Sequence, residues 1–417
     1  MPARARQRLR SLSPGLPRAV WTLEAGTLVN FFGSGIAFPF LLIYLHNVRG
    51  IGLGTAGLVL ATMGATGVVV GPLAGPLIDR AGARVSLAGA LLVSALGFAS
   101  LALVQEAWQA FLVAAAIGVG TGTFWPSISV LLIGLVPPDK RHSAFALQRV
   151  ALNLGIGLGG LVGGFVATTD SPTSFAILFL VDAASFLAMA VLLPAVPEPR
   201  LPPARELPGG YRAVLRDRPF LSLVCLNVLY VAAGYAPLEL LPVFAKNETA
   251  VSERWIGVIF FANTATLVLA QLPVARLVEG RRRMPALATM PALFALSWLV
   301  VLAGGLWLET TAAALVFVAA AALFGLASCV HGPTQAALVA DLASPPLRGR
   351  YMALSSTSWE VGFVVGPALG GAILAAAPLL LWPAAALVCL LAASWTLALE
   401  RALPLSLRVT PASSAHG

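Results

Sequence analysis

Apolar runs of roughly twenty residues recur along the chain, parted by short breaks rich in arginine, proline and glycine. As a helix rising about 1.5 Å per residue, each run is long enough to cross a hydrocarbon core of about 30 Å. The pattern predicts twelve crossings, near 20–45, 54–78, 85–104, 109–136, 146–167, 174–196, 219–244, 255–277, 284–306, 311–340, 351–377 and 379–399. One break is longer than the others. Across 197–218, prolines and the paired Gly209-Gly210 read as a linker. The segment from Tyr211 to Arg218 reads as a short interfacial helix with basic residues toward lipid headgroups. The expected organisation is all-α and polytopic: a six-helix bundle over 1–197, a linker over 198–218 and a second six-helix bundle over 219–417.

Composition makes lipid the solvent for much of this chain. Of its 417 residues 59% are hydrophobic and 10% charged, and the mean hydropathy is +0.90. A soluble fold cannot hide that much apolar surface. The net charge of +9 would suit nucleic acid if it were gathered in one patch, but it is spread through short loops. An even number of crossings puts both termini on one side. All but three of the 26 lysines and arginines fall on that side, the exceptions being Arg49, Lys246 and Arg254. The positive-inside rule then makes the termini cytoplasmic. Arg4, Arg6, Arg8 and Arg10 resemble the start of a signal peptide, yet no small-residue cleavage site follows, so the first crossing is read as retained. Cys225, Cys329 and Cys389 all fall in apolar runs, which argues against a disulfide framework or a zinc site. Short loops and an Ala/Arg/Leu-rich composition suggest the inner membrane of a bacterium with a GC-rich genome.

The halves look duplicated. At an offset of 207, Gly118 meets Gly325, Pro126 meets Pro333, Pro138 meets Pro345 and Arg141 meets Arg348. The same offset superposes Gly155, Gly159, Gly163 and Gly164 on Gly362, Gly366, Gly370 and Gly371. Earlier in each half the offset drifts, with Asn30 meeting Asn227, Pro39 meeting Pro237 and Gly57 meeting Gly257. Parallel six-helix repeats related by an axis along the membrane normal are one architecture of secondary transporters.

Two motifs carry a resemblance. After the second run stands Gly75-Pro-Leu-Ile-Asp79-Arg80-Ala-Gly82-Ala83-Arg84, similar to the G-x-L-A-D-R-x-G-R-R signature of the major facilitator superfamily, with Ala83 in place of one basic residue. The second half holds a degenerate copy around Glu279-Gly280-Arg281-Arg282-Arg283. In the eleventh run, Gly362-x-x-x-Gly366-Pro367-x-x-Gly370-Gly371 resembles that superfamily's antiporter motif, and Gly160 replaces the proline in the fifth-run copy. The resemblance spans nearly the whole chain and is closest to bacterial drug:proton antiporters of twelve helices. It implies two pseudo-symmetric six-helix bundles working by alternating access, with the loop of Gly75, Asp79, Arg80, Gly82 and Arg84 latching one state. The glycines also admit a plainer reading, close packing between helices. An arginine of the fourth helix that many proton-coupled relatives carry is absent, because Ala114 stands four residues before Gly118.

Ionisable residues at membrane depth are costly and become candidates by default. Glu360 lies ten residues beyond Arg350, so about 15 Å deep, with Asn153 as its counterpart in the first half. It either binds a proton or a cationic substrate, or makes a structural hydrogen bond. Arg149, four residues before Asn153, either meets an anionic substrate or snorkels. Glu239, near Tyr230 and Tyr235, is a gating or binding candidate, with a rim carboxylate as the alternative. Asp182 reads as a structural bond, His331 as a titratable group or a packed contact, and Glu24 as a partner for Arg18. Asn30 and Asn227 occupy matching places, and Trp125, Trp359, Phe31 and Phe38 could supply an aromatic wall suited to lipophilic cations. No P-loop, metal-ligand cluster or nucleophile–base pair is found, so neither an enzyme nor a cofactor is expected. The expected function is proton-coupled export of small lipophilic or cationic compounds by a monomer. The alternatives are a transporter of one metabolite (sugar, amino acid or siderophore), a uniporter, a sensor on the same fold, or a lipid-modifying membrane enzyme.

Overall fold

The computed structural model describes residues 15–137, 140–199, 211–343, 347–404 and 407–409. Twelve helices are long and apolar enough to cross a membrane. They are α1 Arg18–Val48, α2 Leu53–Ala81, α3 Ala83–Leu101, α4 Ala107–Leu135, α5 Ser143–Val166, α6 Pro172–Ala195, α7 Arg218–Thr249, α8 Glu253–Val278, α9 Arg283–Trp307, α10 Thr310–His331, α11 Arg350–Ala376 and α12 Pro378–Ala402. The arginine-rich residues 4–10 and most of the expected linker lie outside the described residues. Of the expected interfacial helix, one helical turn forms at Tyr211–Val214. Asp217 then caps α7, accepting from the Phe220 amide at 3.1 Å. Lys140 donates to the Gly15 carbonyl at 2.9 Å, and the Arg283 amide donates to the Arg408 carbonyl at 2.7 Å. Both ends of the described chain therefore lie on one face, called here the terminal face. The opposite one is the distal face.

Three helices lose regular α geometry partway across. In α1 a tighter turn at Phe38–Phe40 contains Pro39, and a wide π turn follows at Tyr44–Val48. In α7 a π turn at Tyr230–Tyr235 runs into Pro237. Helix α10 continues through a π turn at Gly332–Ala336 to Leu342. Proline removes one backbone donor and crowds the preceding turn, and wide turns re-aim the side chains around it. The matched Pro39 and Pro237 thus mark equivalent breaks in α1 and α7.

The glycines set how the halves meet. A Cβ on Gly57 of α2 would lie 2.5 Å from the Pro367 carbonyl oxygen and 2.9 Å from Gly371 Cα on α11. A Cβ on Gly257 of α8 would lie 2.6 Å from the Gly160 carbonyl oxygen and 3.1 Å from Gly164 Cα on α5. The same contact is built twice, with Pro367 and Gly160 interchangeable because each offers only its carbonyl. Other motif glycines pack within their own half. Gly155, Gly159 and Gly163 lie against the α1 backbone, while Gly362, Gly366 and Gly370 lie against α7. Both cross-half seams sit toward the distal face, which further bonds close. Asn47 Nδ2 donates to Asn247 Oδ1 at 2.7 Å, and Glu253 accepts from the Thr169 amide at 3.1 Å and from Lys246 at 2.7 Å. Toward the terminal face, Gly71 and Gly75 of α2 meet nothing within 4 Å. Among the described residues, the hydrogen bonds that join the halves lie on the distal side.

Each half clamps its own basic loop with a glutamate lying just after, or at the end of, its last helix. Glu198 accepts from the Ala83 and Arg84 amides at 2.6 and 3.0 Å, capping the positive end of α3. Gly82 makes this turn with φ of +90°. Glu400 accepts both Arg282 nitrogens, at 2.9 and 2.8 Å, in the fork geometry favoured by arginine. Beside it, Arg283 is only 2% exposed and relies on Asp341 at 2.7 Å and the Val409 carbonyl at 3.2 Å. Asp341→Ala strands that guanidinium in a buried site. It is expected to cost about 2–3 kcal/mol and to lower the thermal midpoint in detergent by several degrees, with Asp341→Asn intermediate.

Candidate functional site

Two aromatic clusters, one in each half, flank the mid-membrane region. In the first half, Phe31 on α1 lies 5.9 Å from Phe124 and 5.8 Å from Trp125 on α4, and Phe124 meets Trp125 edge-on at 5.3 Å. In the second half, Tyr235 on α7, His331 on α10 and Trp359 on α11 form the core of the other cluster. His331 stacks on Trp359 at 5.0 Å and 19°, Tyr235 lies 4.9 Å from Trp359, and Phe363 extends the stack. Tyr230 and Tyr235, five residues apart on α7, serve different contacts. Tyr230 is fully buried against Thr396 of α12, whereas Tyr235 remains partly exposed.

Hydrogen bonds hold the second cluster. His331 Nε2 lies 2.7 Å from Gln335 Oε1, and its Nδ1 lies 3.1 Å from the Tyr235 hydroxyl. An amide oxygen only accepts, so Nε2 carries the proton and Nδ1 accepts from the tyrosine. The imidazole is thereby locked face-on to Trp359.

Charge enters this cluster from the other half. Arg149 on α5 is exposed, and a Cβ on Gly332 would lie 3.0 Å from its Nη1. It pairs with no carboxylate among the described residues. Asn153 sits one turn further along and donates to the Arg149 carbonyl at 2.8 Å, so it does not reach its counterpart Glu360. Glu360 is half-buried where α11 meets the first half. A Cβ on Gly67 of α2 would be 3.6 Å from its Oε2 and 3.8 Å from Thr121 Oγ1. Among the described residues Glu360 makes no hydrogen bond or ion pair. Glu239, partly buried in the distal part of α7, makes none either.

The remaining candidates are placed elsewhere. Asn227 is fully buried and donates to Ser358 of α11 at 2.7 Å. Asn30 is 2% exposed at the contact of α1 with α6. Asp182 is fully buried beside it, with Ser34 Oγ and Ser185 Oγ each 3.3 Å from its Oδ1. Glu24, 3% exposed, has neither oxygen bonded, so the expected pairing with Arg18 does not form. Among the described residues the Asp79 and Arg80 side chains, both exposed, make no ion pair.

Gln335, Phe124 and the Asn47–Asn247 bond did not emerge from the sequence. Asn47 and Asn247 are 200 residues apart, close to the offset that relates Asn30 to Asn227. That spacing was the available signal.

A family profile described as the Major Facilitator Superfamily matches residues 23–252 and 240–415. The multidrug resistance protein MdtH of Aeromonas salmonicida (strain A449) is 27% identical over 363 residues, covering 85% of this chain and 87% of that protein. Among solved structures, a peptide transporter POT in complex with alafosfalin superposes with a TM-score of 0.76 at 17% identity, over 93% of this chain and 95% of that one. The nucleoside transporter NupG superposes at 0.72 and 13%, over 92% and 98%. At these identities the superpositions establish a shared fold.

Proposed function

Because the chain belongs to the Major Facilitator Superfamily, we propose that it exports small lipophilic or cationic compounds across the cell membrane in exchange for protons. The observation that carries this reading is Glu360, a half-buried carboxyl at mid-membrane with no partner among the described residues. It lies next in sequence to Trp359 of the aromatic cluster. A carboxyl in that setting is held for an exchangeable ligand rather than for structure, and aromatic faces recognise cations. Resemblance to multidrug relatives supports the substrate class. The lysine and arginine bias supports cytoplasmic termini, so the terminal face would be cytoplasmic, and the bonds that close the distal face support an inward-facing state. Asp79 and Arg80 would engage when that face closes.

Proteoliposomes with an imposed pH gradient test the reading, offered a panel of lipophilic cations and neutral compounds. Gradient-driven accumulation is expected. Exchange of a hydrophilic metabolite with no accumulation of any lipophilic compound would overturn it. Trp359→Ala removes the stacked face and is expected to raise the KM for aromatic substrates about tenfold, or about 1.4 kcal/mol, with little change in kcat.

One observation favours a second reading. Arg149 reaches across to the His331 cluster without a carboxylate partner, which suits an anionic group on the substrate. Transport of carboxylate-bearing compounds, lost in Arg149→Ala, would select it.

A further inference from the structure

Asp182 sits about 15 Å along α6 from Pro172, near mid-membrane. It is wholly buried. The helices packed on it, α1 and α3, carry their basic residues at the terminal-side ends, Arg18 and Arg84, with Arg49 just past the distal end of α1. Among the described residues no ion pair includes Asp182. An isolated carboxylate in such a place is strongly disfavoured, so its charge must be neutralised on the spot.

Oxygen atoms surround it. Ser34 Oγ and Ser185 Oγ each lie 3.3 Å from Oδ1. Ser185 Oγ is also 3.2 Å from the Asn30 carbonyl oxygen. Two buried polar atoms of these residues have no partner among the described residues, Asp182 Oδ2 and Asn30 Nδ2, and Asn30 is only 2% exposed. Gly33 brings the α1 backbone this close, since a Cβ there would lie 2.8 Å from Asp182 Oδ1 and 2.6 Å from Ser185 Cβ.

The spacing discriminates between ligands. The Ser185 hydroxyl donates within α6, to the Asp182 carbonyl at 2.7 Å. Hydrogen bonds between hydroxyl and oxygen run about 2.5–3.0 Å, shorter than the two inter-helix contacts, Ser34 with Asp182 Oδ1 at 3.3 Å and Ser185 with the Asn30 carbonyl at 3.2 Å. A hard cation holding oxygens at about 2.3–2.6 Å places neighbouring oxygens of an octahedral shell about 3.3–3.7 Å apart. The observed 3.2–3.3 Å fits the short end of such an edge. One carboxylate balances one positive charge, whereas a divalent ion would leave net charge buried in the membrane.

We propose that Asp182, Ser34, Ser185 and the Asn30 carbonyl form a binding site for a sodium-sized monovalent cation between α1 and α6. Turning the Asn30 amide over, an exchange of look-alike atoms, would add its Oδ1 as a further ligand and remove the orphaned donor. Ser34 is only partly buried and provides the way in. The site is separate from Glu360 and from both aromatic clusters, so it stands whether or not protons drive transport.

The test is thermal unfolding of the purified protein in detergent, titrated with NaCl against choline chloride at constant ionic strength, with direct 22Na+ binding alongside. A saturable rise of the midpoint with sodium is expected, by mass action on the folded state. It should be absent with choline and lost in Asp182→Asn. Ser34→Ala and Ser185→Ala should raise the half-saturating sodium about tenfold or more, and they carry the test if Asp182→Asn does not fold. No sodium-specific shift, or an unchanged one in these variants, overturns the proposal. Stability that follows pH with no sodium dependence also overturns it, giving the neutralising charge to a proton.

Discussion

Glu360→Gln is expected to abolish accumulation driven by a pH gradient, by tenfold at least, while leaving downhill substrate exchange in place. The amide keeps the size and polarity of the side chain but cannot give up a proton. No hydrogen bond or ion pair to another described residue is lost with the charge, so packing against Gly67 and Thr121 should survive. What disappears is the coupling free energy between proton and substrate, about 1.4 kcal/mol for each tenfold. Glu239→Gln serves as the matched control, because Glu239 is also unpaired but lies distal to the aromatic cluster on α7. Gradient-driven accumulation that persists in Glu360→Gln and vanishes in Glu239→Gln would move the proton site to α7. Loss of exchange as well as accumulation would instead make Glu360 a substrate ligand first.

The fold was legible because a membrane imposes it. Twelve runs of the length needed to cross, broken by prolines, glycines and arginines, fall within a few residues of the observed helices. Duplication was legible for a related reason. Glycine and proline are kept where backbones touch or bend, so their spacing encodes contacts such as Gly57 with Gly371 and Gly257 with Gly164. The facing of side chains was not legible. A helix apolar all round carries little directional signal, and nothing in the sequence separates Tyr235, partly open beside His331, from Tyr230, sealed against Thr396. Which neighbour each tyrosine meets is set by packing. Asn30 and Asn227 show the same limit: depth was readable, yet both turn into contacts with neighbouring helices rather than toward the aromatic clusters.

Partners distant in sequence were the other blind spot. Arg149 and Gly332, Glu198 and Ala83, or Arg282 and Glu400 meet only once the bundle is assembled. A charge near a helix end has too many prospective neighbours for spacing to choose among them. The duplication narrows this choice in retrospect. Glu198 and Glu400 both hold the loops after α2 and α8, the first through backbone amides and the second through the Arg282 guanidinium, so each loop has an anchor late in its own half. The degenerate copy has kept the anchor and lost the exposed aspartate, which leaves any latch chemistry to the first half.

Gly371→Leu is expected to reduce transport to background without unfolding the protein, by preventing closure of the distal face. Gly57 and Gly371 bring α2 and α11 so close that even a Cβ on Gly371 would sit 2.9 Å from the opposing Cα. Leucine adds three further carbons in a place where neither backbone can yield without parting the halves. Leucine is also the better helix former, so α11 itself should not weaken. The seam rather than the helix fails. Gly371→Ala should also slow transport, though less than leucine does, since its single Cβ already lies 2.9 Å from the Gly57 Cα, a backbone atom that must shift. The state can be read directly. With Cys225 replaced by serine, cysteines at Asn47 and Asn247 should be joined by a short bifunctional thiol reagent while Gly371 is present. They should fail to be joined when leucine is, because the Asn47–Asn247 contact can no longer form. Gly164→Leu should act alike through the matching seam with Gly257. Wild-type transport in both leucine variants would show that these glycines do not set the closed state, and would return the motif to a role in substrate or proton chemistry.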